Sequence, residues 1–473
     1  MITLRPLQLV ILLVLISLLT DHPKAQSIDC TTHWANVLQV STDSAFYNEP
    51  RIAVSGDTVH LLWFGTDFFG TVSHDGIQYS HSFDAGASFG AQTTLSSFDT
   101  ATSPGFISAS GTNVCVAFEA VIDTFAGTVI MRSSDAGVSW QAAQRLLPNT
   151  TPLLLETAKD LIYLHYLNKR ANQHGLLVSS DSGRTWTMRN SDMPALSSMH
   201  ATPTKLHAVG VPGSDPKEVI YYTSENFGAT WLFSEILSRE DFTNSLFPKI
   251  TGNGGKDLYV VWNDSGNILL RHSANNGLSW LPEAKISEQR GAVFPSIGAN
   301  REFVSVVWDN DFGGISALRL RPSNDKAISF CPIDVPSTDS GAGGPSITIF
   351  GNLLHVAWSK QLGISGAIFY RQGVLIDNPN QGDRPPAAYA LKQNYPNPFN
   401  GITHISFDLP TPARVTLTIY NLLGQTIATV LDEDRAAGRY SATFESTSMT
   451  SGLYVYELRT PGIIERKKMI VVK

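Results

Sequence analysis

The chain has 473 residues, 41 acidic and 34 basic, for a formal net charge of −7, and only 16% of them are charged. That length is ample for one large core plus a smaller domain, and the acidic balance without a basic stripe argues against a nucleic-acid partner. Three cysteines in so long a chain exclude a disulfide-built scaffold.

Arg5 precedes an apolar run over residues 7–19, followed by polar residues and Ala25. The run is too short to span a bilayer comfortably and reads as a cleaved secretory signal over residues 1–26, a retained anchor being the alternative. No other segment has the length and apolarity to cross a membrane, so the mature chain is expected to be exported without a transmembrane segment.

A short phrase then returns five times: Ser-Phe-Asp-Ala-Gly-Ala-Ser-Phe ending at Phe89, and variants ending at Trp140, Trp186, Trp231 and Trp280. Its third residue is Asp84, Asp135, Asp181, Asn226 and Asn275, at intervals of 51, 46, 45 and 49. Repeats of that period signal a radial or solenoid architecture. An Asx side chain folds onto backbone amides ahead of it and Gly supplies positive φ, which makes a tight turn. The closing aromatic is expected to plug the gap between neighbouring sheets.

Between the phrases run short alternating segments. A Pro-x-Ile strand recurs at Pro50, Pro248, Pro295 and Pro345, and a second strand ends in an aromatic at Trp63, Trp262, Trp308 and Trp358, with Phe118 as a variant. Four short strands per unit make one propeller blade. First strands near Pro50, Pro104, Pro152, Pro203, Pro248, Pro295 and Pro345 count seven blades, and six stays open if the fourth repeat is miscounted. The sixth blade has a degenerate turn (residues 321–330), and the seventh ends after its third strand near Tyr370. Trp34 and Ser41 reproduce the seven-residue offset that joins Phe89 to Ser96, Trp231 to Ser238 and Trp280 to Ser287. The N-terminal segment is therefore expected to supply the missing outer strand and close the ring. That closure sets Cys30 beside Cys331, a candidate disulfide in an exported protein, with two unrelated thiols as the alternative. Cys115 reads as a buried small hydrophobe.

After Gly373 the composition turns polar and Pro-rich, a linker over residues 376–390. Six short alternating strands follow the Asn-Tyr-Pro-Asn-Pro-Phe-Asn phrase at residues 394–400 and read as a small Ig-like β-sandwich over 391–473. The expected fold class is all-β: a propeller over 27–375, then this sandwich.

Two resemblances follow from these residues. The repeated phrase is the Asp-box (BNR repeat) and resembles that of the sialidase-like β-propellers, in which it lies away from the active site; its Asp and Asn residues are then turn-makers. Known sialidases have six blades, so seven is a departure. The C-terminal segment, with Val-Thr-Leu-Thr-Ile-Tyr-Asn-Leu-Leu-Gly-Gln at 415–425 and Ser-Gly-Leu-Tyr-Val-Tyr at 451–456, resembles the type A sorting domain of type IX secretion. This implies passage to the outer-membrane surface or exterior of a Gram-negative cell, with the secretion machinery as partner.

Sialidase chemistry implies three arginines on a carboxylate, a Tyr–Glu nucleophile pair and an Asp acid. Arg51, Asp67 and Tyr370 are the nearest matches for a catalytic set. Arg271, Arg319, Arg321 and Arg371 stand off the first strands, and no Glu is visibly placed to activate Tyr370. Loops after the second strands offer aromatics and acids suited to sugars: Phe68, Phe69, Asp75, Glu119, Asp123, Asp264, Asp309 and Asp311. No cofactor and no metal are expected; a weak Ca²⁺ site built from loop oxygens is the one alternative, and no EF-hand-like spacing supports it. The reading is a secreted or surface propeller binding glycan or protein, with an exo-sialidase-like glycoside hydrolase as the alternative.

Overall fold

The computed structural model describes residues 32–42, 46–66, 76–96, 101, 103–158, 161–202, 204–213, 217–239, 243–312, 315–337, 340–362, 365–375, 389–394, 397–399, 401–436, 438–446 and 449–472. Every regular element among them is a strand. The chain divides into two compact units at residues 376/377.

The first unit holds seven sheets met in chain order. Their innermost strands are Phe46–Ser55, Phe106–Ser110, Thr150–Ala158, Ser198–Ala201, Ser245–Gly252, Ala292–Ala299 and Ala342–Phe350. Each touches the next, and the seventh returns to the first, so the sheets close a ring. The fourth innermost strand, Ser198–Ala201, ends just before residue 203, near the position the sequence suggests. The sixth sheet has three strands, and its outer position is marked by a single bridge between Leu320 and Asp334.

The N-terminal segment closes the ring. Thr32–Trp34 and Leu38–Gln39 both pair antiparallel with Ser365–Leu375 of the seventh sheet. The seven-residue offset has a physical basis: Ser41, Ser238 and Ser287 accept the backbone N–H groups of Ile368, Val219 and Ile268 at 2.9, 2.8 and 2.9 Å. Trp34 also donates its indole N–H to Asp334 of the sixth sheet at 2.6 Å. Cys331 is disulfide-bonded and Cys115 is a buried free thiol; Cys30 lies outside the described residues.

Each Asp-box is a self-bonded turn. Asp135 Oδ1 accepts from Ser133 Oγ at 2.7 Å and from the Ser139 N–H at 2.9 Å, and Asp84, Asp181, Asn226 and Asn275 repeat the pattern. These bonds favour the ionised carboxyl and pull Asp84, Asp135 and Asp181 down to about 2, hydrogen bonding being the leading cause. The sixth turn is formed as well. Asp325 makes the same contacts, with Ala327 at φ 62° in place of the usual Gly.

The boxes also join the sheets. Gly86, Gly137 and Gly277 have positive φ, and a Cβ on any of them would fall 1.8–1.9 Å from the hydroxyl of Tyr370, Tyr79 or Tyr221 in the preceding sheet. That hydroxyl bonds His355, His60 or His207 Nδ1 at 2.7, 2.7 and 2.6 Å. The closing aromatic of the box packs edge-on to the same tyrosine: Phe89 on Tyr370, Trp140 on Tyr79, Trp280 on Tyr221, with centroids 4.8–5.1 Å apart. Burial pulls all three histidines down to about 4 and pushes the tyrosines up. The second-strand tryptophans, Trp63, Trp262, Trp308 and Trp358, are at most 1% exposed, and burying each large apolar side chain contributes roughly 1.5–3 kcal/mol.

The second unit is a two-sheet sandwich. Ala390–Leu391, Ile402–Leu409 and Gly438–Glu445 form one sheet; Thr426–Arg435, Ala413–Tyr420, Gly452–Thr460 and Ile463–Val471 form the other. Phe407, Leu417, Ile419, Tyr456, Leu458 and Met469 lie in its core, each at most 1% exposed. The Asn-Pro-Phe stretch is tied to the last strand, where Asn397 Oδ1 accepts the Ile470 N–H at 2.7 Å and Phe399 N–H donates to Ile470 O at 3.0 Å.

Candidate functional site at the channel mouth

Strand register fixes which end of the ring is which. Ser245 pairs with Asp264 and Asp264 with Asn267 at one end; Gly252 pairs with Leu258 and Leu258 with Ser273 at the other, where the box begins. The Asp-boxes therefore occupy one face, and the starts of the innermost strands open on the opposite face.

At that opposite face lies a cavity of about 810 Å³, lined from four innermost strands and by Val211, Pro212, Gly213 and Lys217. Its shape comes from proline. Pro50, Pro248, Pro295 and Pro345 cannot donate to a ladder, and each strand breaks register there, between Asn48 and Arg51, Leu246 and Lys249, Val293 and Ser296, and Gly343 and Ser346. Such bulges re-aim side chains.

The residues before three of these prolines have left-handed backbones: Phe247 at φ 56°, Phe294 at φ 50° and Gly344 at φ 59°. Glycine adopts this freely. A bulky residue there is a true outlier, doubly so before proline, and costs on the order of 1–3 kcal/mol. The two phenylalanines are also 43% and 47% exposed, with ring centroids 4.7 Å apart and planes tilted by 53°. Two strained, half-exposed aromatic rings thus form a platform on the cavity rim. Asn263 Nδ2 donates to Ala292 O and braces the fifth sheet to the sixth beneath them.

In two of these sheets the residue after the proline is a cation on the cavity wall, Arg51 in the first and Lys249 in the fifth. The Arg51 guanidinium lies 5.3 Å from the Phe106 ring centroid, a cation–π contact that orients it. Asp309 enters the wall, accepting from Ser316 Oγ, and Gly343 makes room: a Cβ there would lie 2.8 Å from Asp309 Oδ2. Deeper between the third and fourth innermost strands, Glu156 Oε1 faces His200 Nδ1 at 3.8 Å. Burial pushes Glu156 up to about 8 and His200 down to about 4.

Of the residues singled out in sequence, Arg51 and Asp309 line this cavity. Tyr370 does not: it is 0% exposed and is the inter-sheet joint described above, which leaves it no access to a dissolved substrate. Glu119 is 9% exposed and accepts from Lys169 Nζ at 2.6 Å and Thr151 Oγ1 at 2.7 Å, so it staples the second sheet to the third. Asp264, 8% exposed, accepts from Thr243 Oγ1 at 2.8 Å. Asp123 occupies a hairpin turn and pairs with Arg145 at 2.5 Å. Asp67, Phe68, Phe69 and Asp75 lie outside the described residues, as does the Asp311 side chain.

The remaining arginines serve the framework. Arg271 reaches Glu235 at 3.4 Å, Arg319 donates to Leu318 O at 3.2 Å, Arg321 donates to Cys331 O and Ile286 O, and Arg371 donates to Ala35 O and Pro336 O. They do not meet Arg51 at the cavity. Phe247 and Phe294 were missed in the sequence, although the repeated apolar-Phe-Pro-x-Ile phrase at residues 246–250 and 293–297 was there to find them.

No curated protein sequence is significantly similar to the chain. Among solved structures, a polysaccharide lyase, an ulvan lyase bound to a GlcA–Rha3S oligosaccharide, is similar over 70% of this chain and 95% of its own at 9% identity and TM-score 0.52. A Hadza microbial sialidase matches over 56% and 63% at 13% identity and TM-score 0.42. A Trypanosoma rangeli sialidase mutant with trans-sialidase activity matches over 95% and 91% at 11% identity and TM-score 0.43. At these identities the likeness concerns the fold. Residues 393–473 match the family described as a secretion system C-terminal sorting domain. The chain is thus an all-β protein whose first unit is a closed ring of sheets and whose residues 393–473 match a secretion system C-terminal sorting domain.

Proposed function

We propose that this protein is a glycan-binding propeller, sent by type IX secretion to the outside of a Gram-negative cell, with its ligand site at the mouth of the ring channel. The single observation that carries this reading is the Phe247–Phe294 platform on an open cavity. Backbone strain held at exposed aromatic residues is costly and persists where a site uses it. Aromatic faces stack on the C–H faces of sugars, and polar groups below them bind hydroxyls.

Binding is favoured over hydrolysis because Arg51 is joined at the cavity by none of Arg271, Arg319, Arg321 and Arg371, and Tyr370 is sealed in the core. A glycan array probed with the full chain, alongside fluorogenic sialosides, tests the reading. Array binding without sialoside turnover supports it. Turnover abolished by Arg51→Ala would establish the hydrolase instead.

A further inference from the structure

We infer that the ring carries a second ligand site on its Asp-box face, in the seam between the second and third sheets, and that it takes a single sugar unit. The inference stands apart from the channel-mouth reading and uses none of its residues.

The seam is open because the joint that closes its counterparts is missing. Elsewhere the residue three places before a box serine fills the space under the next box: Tyr79 before Ser82, Leu176 before Ser179, Tyr221 before Ser224. A Cβ on the glycine of that next box, Gly137, Gly228 or Gly277, would lie 1.8–2.1 Å from these side chains. In the second sheet the place belongs to Ile130. The residue after the strand partner of the box serine is His60 in the first sheet and His207 in the fourth, but Cys115 in the second. Neither a phenol nor an imidazole is left to fill the gap. A Cβ on Gly183, in the box of the third sheet, would first meet Arg132 Cδ at 3.1 Å and Cys115 Sγ at 3.3 Å.

A cavity of about 240 Å³ lies at this place, lined by Ser108, Thr157, Ser180 and Ser182, by Val114 and Ile162, and by Cys115. Protein interiors leave few voids larger than a water; an apolar one stays dry, whereas walls that carry hydroxyls hold solvent or ligand. These walls are preformed. Ser108 and Thr157 bond each other across the seam, and Ser182 is held at φ 58° inside the self-bonded turn of Asp181. Hydroxyls beside aliphatic carbon match a sugar, whose own hydroxyls need partners while its C–H faces need apolar contact. The volume lies below the range of about 300–1,000 Å³ typical of pockets for larger ligands, which limits the occupant to one unit.

The test starts from the full chain carrying Phe247→Gly/Phe294→Gly, which removes the channel-mouth rings. Saturation-transfer NMR measures glucose, galactose, mannose, fucose, rhamnose, N-acetylglucosamine and glycerol as ligands. The expected result is saturable binding of at least one sugar in the millimolar range, with glycerol at least about tenfold weaker. Ser180→Phe places a ring at the cavity wall; the equivalent residue of the first box is already Phe83, so the turn accepts it. It should weaken the sugar at least about tenfold, whereas Ser134→Phe, the same change in the second box, should leave affinity unchanged. Thr157→Val keeps the shape, removes one hydroxyl and should cost about fivefold. Binding of no sugar, glycerol bound as tightly as the best sugar, or an affinity that both Ser180→Phe and Thr157→Val leave intact overturns the inference. None of these results touches the channel-mouth reading, whose platform is absent from the variant.

Discussion

Replacing Gly277 with Ala tests how the sheets are joined. The new Cβ would lie 1.9 Å from the Tyr221 hydroxyl and 2.7 Å from its Cζ, on a backbone at φ +80°. Tyr221 cannot retreat: it is 1% exposed, its hydroxyl is held by His207 at 2.6 Å, and Trp280 packs edge-on at 5.1 Å. Left-handed strain on Ala costs about 1 kcal/mol, overpacking a filled core about 1–3 kcal/mol, and the lost hydrogen bond about 1 kcal/mol. The expected total is about 4 kcal/mol. Gly111→Ala is the control, since it shares the left-handed backbone at φ +57° but meets nothing within 4 Å; it should cost only about 1 kcal/mol. Urea unfolding followed by tryptophan fluorescence gives both values. Tyr221→Phe should cost clearly less in the Gly277→Ala background than alone, because both changes damage one contact. Equal losses for Gly277→Ala and Gly111→Ala, or strict additivity with Tyr221→Phe, would refute the joint.

Acidification should destabilise the propeller between pH 6.5 and 4. His60, His200, His207 and His355 are held near 4, and His165 near 3, chiefly by burial. Their folded values lie below the unfolded 6.5, so the unfolded chain binds more protons in this window. Their contribution is complete above 6.5 and lost as pH falls, by about 3 kcal/mol for each histidine held near 4. Glu156, raised to about 8, acts in the opposite sense but stands alone against five histidines. A thermal midpoint that is unchanged or higher at pH 4.5 than at 7.5 would contradict this. Non-reducing peptide mapping of the exported protein should recover a Cys30–Cys331 crosslink, and free Cys30 would count against it.

The repeated turns were legible in the sequence because each depends on one side chain bonding its own loop, as Asp135 does with Ser133 and Ser139. Ring closure was legible for the same reason: Ser41 performs the bond that Ser238 and Ser287 perform in their sheets. The fourth innermost strand, Ser198–Ala201, was the least clearly marked because it lacks the Pro-x-Ile phrase. Tyr370 looked reactive because position in the last sheet says nothing of which face a side chain takes. The aromatic platform was hidden for a deeper reason. Residues before proline are normally extended, so nothing local announces that Phe247 and Phe294 take the left-handed form; the closed ring and its bulges impose it.

The most direct test of the ligand site is calorimetric titration of an array-identified glycan into the Phe247→Gly/Phe294→Gly variant. Gly344 already holds the equivalent place in the seventh sheet at φ 59°, so the backbone accepts the change and the unfolding midpoint should stay close to wild type. The account predicts at least about tenfold weaker binding, since bases stacked on aromatics gain about 1–3 kcal/mol each and the apolar C–H face of a sugar packs on an aromatic ring in a similar way. Wild-type affinity in a variant that remains folded would place the ligand elsewhere and contradict the account.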